Sequence, residues 1–225
     1  MANFIRSHFL LIMLIISTII TYVWITRFKE KLVVNRIAAA IISILFTITG
    51  VLCVMIFAVV ESFSWSAWGQ KSLFGAVLFL PILLLLTAKI THRDAKDVLD
   101  IFTIPTVISL LVSRLNCVVA GCCKGIVIPG TNLRVPIRGI ELVYYLVFCI
   151  IISKLISNET SKGKAFPLFM VTYGILRFII QFFREEYTSL GIVHLPHLWA
   201  AISITVGAAI LLISQEPKTK GRKRT

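Results

Sequence analysis

The sequence predicts an all-α fold: a polytopic membrane bundle of about seven transmembrane helices, with its N-terminus outside and its C-terminus inside. Hydrophobic residues make up 58% of the 225, and the mean hydropathy is +0.94, far above that of a soluble domain. Seven apolar runs approach the roughly 20 residues that a helix needs to cross a bilayer. Lysine and arginine cluster in alternate loops between those runs, which orients them.

The runs cover residues 8–26, 33–60, 72–89, 99–119, 139–155, 165–183 and 195–214. The first follows Arg6 and has the flanks of a signal peptide, but its apolar core is too long and no small-residue cleavage site follows, so it reads as a retained helix. The second is longer than a bilayer requires, which implies a tilt or an interfacial turn. Phe63, Trp65 and Trp68 after it read as an interfacial aromatic anchor. The fourth is apolar almost without a break from Ile101 to Val112 and then meets Arg114. The seven runs leave no room for a separate soluble domain. The expected organisation is one transmembrane domain, 1–214, followed by a basic cytoplasmic tail, 215–225.

Arg27, Lys29, Lys31 and Arg36 follow the first run, Lys89, Arg93 and Lys96 the third, and Lys154, Lys162 and Lys164 the fifth; Lys218, Lys220, Arg222, Lys223 and Arg224 close the chain. With seven spans these all fall on one side, which the positive-inside rule makes cytoplasmic. Much of the net charge of +13 lies there, where each basic residue attracts anionic lipid by about 1 kcal/mol. The expected partner of this charge is the membrane, and nucleic acid is not expected.

Arg114, Lys124, Arg134 and Arg138 fall on the outer side, against that bias, which suggests chemistry rather than orientation. Arg138, Glu141, Arg177 and Arg184 are further charges in or at the ends of spans, where an ionisable group needs a partner and marks a functional site. Arg177 and Gln181 stand four apart on one helix face, with Arg184 a turn further. That polar stripe must face the bundle interior or water. A structural arginine–glutamine hydrogen bond is the simpler account of it. Five cysteines complete the inventory. Cys53 and Cys149 sit inside spans as small packing residues. Cys117, Cys122 and Cys123 lack a nearby histidine or a second cysteine pair, so packing is favoured over a metal site; no metal and no cofactor are expected. A nucleophilic cysteine is the minor alternative, since Arg114 and Lys124 would favour a thiolate.

Three blocks carry a resemblance. Arg114-Leu-Asn-Cys-Val-Val-Ala-Gly-Cys-Cys-Lys-Gly125 is similar to the Gly-Arg-Ile-Gly-Cys-Phe-x-x-Gly-Cys-Cys-x-Gly signature of bacterial prolipoprotein diacylglyceryl transferases in their Gram-positive form. Arg134-Val-Pro-Ile-Arg-Gly-Ile-Glu141 resembles that family's Arg-x-Pro-x-Gln-x-x-Glu. Tyr173-Gly-Ile-Leu-Arg-Phe-Ile-Ile-Gln-Phe-Phe-Arg184 resembles its Tyr-Gly-x-x-Arg-Phe-x-x-Glu-Phe-Phe-Arg. The blocks agree in order and spacing, and the likeness covers roughly residues 70–210.

The resemblance implies a transferase of the bacterial plasma membrane. Such an enzyme moves the diacylglyceryl group of phosphatidylglycerol, or a related phospholipid, onto the thiol of a lipobox-containing preprolipoprotein. In that reading Arg114 and Arg177 hold the phosphate and stabilise its departing charge. Glu141 orients an arginine or takes the thiol proton. Gln181 completes the catalytic set. Arg138, Arg184, Gly121 and Gly125 bind substrate, the glycines by letting backbone approach the headgroup. The family's His-Gly-Gly aligns with Gly69-Gln-Lys-Ser-Leu-Phe-Gly-Ala76, so Lys71 or Ser72 has to replace its histidine. Gln181 stands for a glutamate, Arg138 for a glutamine and Asn116 for a glycine. His197 falls where glutamine is usual, as a new proton acceptor or as a helix-end residue beside Pro196. Two other functions fit the same blocks: a divergent glycerophospholipid-using transferase with another acceptor, and a non-catalytic lipid-binding membrane protein.

Overall fold

The computed structural model describes residues 2–157, 162–184 and 195–215, with side chains from residue 8 to residue 213; the basic tail beyond residue 215 lies outside them. The described residues form α1 (Ala2–Arg27), α2 (Lys29–Leu32), α3 (Arg36–Ser62), α4 (Phe74–Leu78), α5 (Leu80–Ile90), α6 (Ala95–Ala120), α7 (Ile137–Ile156), α8 (Ala165–Gln181) and α9 (Leu195–Gln215). All seven apolar runs are helical. Among the described residues five helices are long and apolar enough to cross a membrane, while 74–90 and 165–181 are shorter.

Polar caps fix where two of the helices begin. Asn35 accepts from the Ala38 N–H and starts α3, and Asp94 accepts from the Lys96 N–H and starts α6. Each satisfies a backbone donor that a helix N-terminus leaves open. The expected third span, 72–89, breaks at Phe79 into α4 and α5. Pro81 stands in the first turn of α5, where its missing N–H is tolerated as it is not inside a helix.

Of the five helices long enough to span, α6 is the most enclosed. Trp24 of α1 donates its indole N–H to the Ile101 carbonyl at 2.8 Å, and Thr18 of α1 meets Thr47 of α3 at 2.8 Å. Lipid tails are as apolar as leucine, so close packing and such bonds hold the helices together rather than escape from water. Small residues supply the closeness. A Cβ at Gly75 would strike the Cys53 carbonyl of α3, and one at Gly174 would crowd Ile204 and the Ala200 carbonyl of α9. Between the helices Phe57, Phe74, Tyr145, Phe166, Phe169 and Tyr173 are fully buried. The outward faces of α1, α3, α5 and α7 expose isoleucine, leucine and valine, as lipid contact demands. Phe63, Trp65 and Trp68 are exposed beyond the end of α3, the two indoles stacked at 5.3 Å.

Candidate functional site

One end of the bundle gathers the charges. Arg114 near the end of α6, Glu141 in the second turn of α7 and Arg177 in the last turns of α8 meet there, exposed by only 3%, 0% and 6%. Both guanidiniums bind the same carboxylate oxygen: Arg114 Nη2 lies 2.9 Å and Arg177 Nη1 3.0 Å from Glu141 Oε1. An unpaired charge in this interior would cost several kcal/mol, so the three stand or fall together. The ring of Phe74 lies 5.4 Å from the Arg177 guanidinium and adds a cation–π contact.

The pairing is incomplete. Glu141 Oε2, the Nε atoms of Arg114 and Arg177, and the hydroxyls of Tyr145 and Tyr173 are buried without a protein partner. Buried polar groups in native proteins are nearly always satisfied by protein or ordered water, so these are the atoms that water or a bound molecule would satisfy. Beside it opens a cavity of about 680 Å³, walled in part by Arg114, Arg177, Arg184, Lys71, Ser72 and Glu61. Among the described residues, Arg114, Arg177 and Lys71 against Glu61 and the adjacent Glu141 leave an excess of one positive charge. The segment after α6 helps to place Arg184: Ile126 N–H donates to the Phe183 carbonyl at 2.9 Å, and Gly125 bridges to Arg184.

Cys117, Cys122 and Cys123 stand on the same wall, with their sulfur atoms all within 4.8 Å of one another. Gly121 ends α6 at φ 72° and Cys123 follows at φ 54°. Two left-handed residues so close together turn the chain back onto the last turn of α6. The Cys122 thiol is pushed above its ordinary value, first by burial.

With this geometry in place, the family model described as prolipoprotein diacylglyceryl transferase matches residues 5–213. The chain belongs to that family. Over 127 residues it is 28% identical to phosphatidylglycerol–prolipoprotein diacylglyceryl transferase 2 of Clostridium perfringens, covering 50% of this chain and 48% of the relative. Over 84 residues it is 31% identical to the phosphatidylglycerol–prolipoprotein diacylglyceryl transferase of Pasteurella multocida, covering 35% of this chain and 30% of the relative. The chain thus spans about half or less of the length of these curated relatives.

The other residues singled out from the family blocks take different places. Lys71, Ser72 and Arg184 line the cavity; Arg138, Gly121, Gly125, Gln181 and His197 are not on its wall. Arg138 Nη1 donates to the Cys117 carbonyl at 3.3 Å and so ties α7 to the end of α6. The two glycines do not bring backbone to the cavity. Gly121 supplies the left-handed turn, and a Cβ at Gly125 would strike the Val135 carbonyl. Gln181 is buried with neither amide atom bonded to protein, so the simpler account of the stripe, an arginine–glutamine bond, is not formed. His197 is buried, its ring 5.0 Å from Phe178 and 4.5 Å from Phe182.

Glu61 on the wall was not singled out from the sequence. Its signal was there: a carboxylate at the end of a 27-residue apolar helix, just before the exposed aromatics.

Proposed function

We propose that this protein is a phosphatidylglycerol:prolipoprotein diacylglyceryl transferase acting at the outer leaflet of the bacterial plasma membrane. The observation that carries the reading is the Arg114–Glu141–Arg177 cluster beside a cavity with surplus positive charge. A phosphodiester brings one negative charge to that cavity, and the leaving phosphate monoester brings up to two. The sulfur of the acceptor cysteine attacks the glyceryl carbon. The carbon–oxygen bond breaks, and its electron pair stays on the phosphate oxygen. The guanidiniums keep their charge without water and offer planar, two-pronged donors to the departing phosphate. Glu141, holding both arginines through one oxygen, serves as the group that aims them. Glu61 is the described carboxylate on the wall itself and is the fitting acceptor for the thiol proton. Lys71, Ser72 and Arg184 bind the polar headgroup.

The lipid enters from the membrane, and the orientation that puts the cavity outside is the one set by the loop cations. Cysteine labels placed in the loop at Lys162 react only after permeabilisation in this orientation; labelling in intact cells overturns it. The absence of a histidine from the described wall supports a second reading, the same chemistry on a different acceptor.

The reaction is tested in membranes with labelled phosphatidylglycerol and a lipobox peptide, following lipid transfer to the thiol. Arg114→Lys and Arg177→Lys should each lower the rate about 10²–10³-fold, as expected for a lost transition-state donor. Full activity in both variants removes the phosphate clamp. A folded wild-type protein that transfers nothing beside an active control enzyme moves the assignment to another acceptor or to lipid binding alone.

A further inference from the structure

We propose that Cys117, Cys122 and Cys123 form a three-thiolate site for a soft divalent cation, zinc by its donor set, with a fourth position open to the cavity. Thiolates at the corners of a zinc tetrahedron, each about 2.3 Å from the metal, stand about 3.8 Å apart. The three sulfurs here already lie within 4.8 Å of one another, so closing on an ion takes side-chain rotation and no rebuilding. Cys53 and Cys149 lie elsewhere and have no part in the cluster.

The backbone is shaped to this end. The chain turns back after α6 through Gly121, and Cys123 itself has a φ of 54°. A residue with a Cβ in that left-handed region costs about 1–2 kcal/mol, and glycine would adopt it without strain. The cysteine at this position is thus held against its backbone preference, at a place where its sulfur completes the triad. Charge agrees. Three thiolates on a dication carry one net negative charge, beside Arg114 on the same wall and Arg138, which is tied to the Cys117 carbonyl.

Three protein ligands with one open position is the arrangement of a catalytic rather than a purely structural zinc site. All three cysteines border the cavity, so the open position faces substrate. Resting on the transferase reading above, the fourth ligand is the acceptor thiol. Its proton passes to Glu61, and its sulfur is held as a thiolate, the nucleophilic form. The sulfur then bonds to the glyceryl carbon as the carbon–oxygen bond breaks toward the phosphate, and Glu61 returns the proton to that phosphate or to water. Zinc changes no oxidation state in this sequence. The site supplies what the absent family histidine and the amide of Gln181 leave missing.

The test uses the full chain, purified in detergent under reducing, metal-free conditions and then given zinc or cobalt alone. One equivalent should remain after buffer exchange, cobalt should give thiolate charge-transfer and tetrahedral bands, and zinc should shield three of the five cysteines from maleimide. Losing even an outer partner of a metal site weakens affinity about 10–100-fold, so Cys117→Ser, Cys122→Ser and Cys123→Ser should each lose at least that much. Cys53→Ser and Cys149→Ser should bind as the parent does. Five equally reactive thiols in the presence of zinc, or a disulfide among the three that persists in the reduced protein, overturns the site whether or not the serine variants fold. Zinc retention without lipid transfer leaves the site standing and removes the transferase reading. Transfer at an unchanged rate by metal-free protein removes the role given to the fourth position.

Discussion

The bundle buries carboxylates at both ends, and it treats them differently. At one end Asp100 of α6 accepts the backbone N–H groups of Gly163 and Ala165 with its two oxygens, so it clamps the start of α8. Nearby, Lys162 lies 2.9 Å from Asp94 and 2.7 Å from Asp97. At the other end Glu141 engages two arginines through one oxygen and leaves its second without a partner. Around it two tyrosine hydroxyls and two guanidinium Nε atoms are likewise unsatisfied. Both carboxylates are fixed by helix packing, and only one has finished bonding. A closed set of hydrogen bonds marks a joint; an open set beside a cationic cavity marks a place where another molecule belongs.

The strongest way to break this contrast is Glu141→Gln. It strands two buried guanidiniums, which typically costs about 3–5 kcal/mol, and it releases the aim of both arginines. Thermal unfolding in detergent should fall well below the parent, and transfer should fall with it. A variant of parental stability shows that the arginines have other anions. Asp100→Asn comes next: a carboxylate that accepts twice becomes an amide that can accept only through its single oxygen, for about 1–3 kcal/mol. Here transfer per folded molecule should be preserved. Equal losses of activity from the two variants erase the distinction between joint and site.

Lys162→Ala removes two partly exposed ion pairs and should cost about 1 kcal/mol or less at neutral pH. The hydrogen bond from Lys162 holds the Asp94 carboxyl below its ordinary value, while Asp97 and then Asp94 raise the Lys162 ammonium above its own. A lowered carboxyl stabilises the fold above its unfolded value and loses that effect as pH falls through the folded one. A raised ammonium does so below its unfolded value and loses it as pH rises through the folded one. The difference between parent and variant should therefore be present from roughly pH 4 to 10 and fade on both sides; a gap that persists in acid assigns the effect to something else. The smallest effect belongs to His197→Gln. The ring packs against Phe178 and Phe182, away from the described cavity wall, so transfer should stay close to the parent. A folded variant without transfer makes His197 the proton acceptor instead of Glu61.

What the sequence made legible follows from what is expensive. Arg114, Glu141 and Arg177 are readable because charges on apolar helices must find each other, and they do. The helices are readable for the same reason, since a bilayer leaves backbone no other way to satisfy itself. The break at Phe79 is marked by Pro81, yet uniform hydrophobicity across 72–89 outweighs that one residue. Cys117, Cys122 and Cys123 read as packing because no histidine or second cysteine pair stands near them in sequence. Where they meet, Cys123 is a left-handed non-glycine residue, a conformation that sequence does not announce. Glu61 belongs to the cavity through the position of a helix end, and Arg138 and His197 lie off its described wall for the same kind of reason.

The order in which the paired charges occur along the chain also bears on how the protein enters the membrane. Cation, anion and cation arrive on α6, α7 and α8 in turn. A lone arginine on an inserting helix is opposed by about 2.5–3.5 kcal/mol at the helix centre, and by less near the end, where Arg114 lies. The nascent α6–α7 hairpin cancels that opposition within itself, because Glu141 is synthesised next and lies within reach of Arg114. When α8 emerges, Arg177 finds a carboxylate already in place. A ribosome stalled after α7 thus leaves a hairpin in which Arg114 already has its carboxylate, whereas one stalled after α6 leaves that arginine without it.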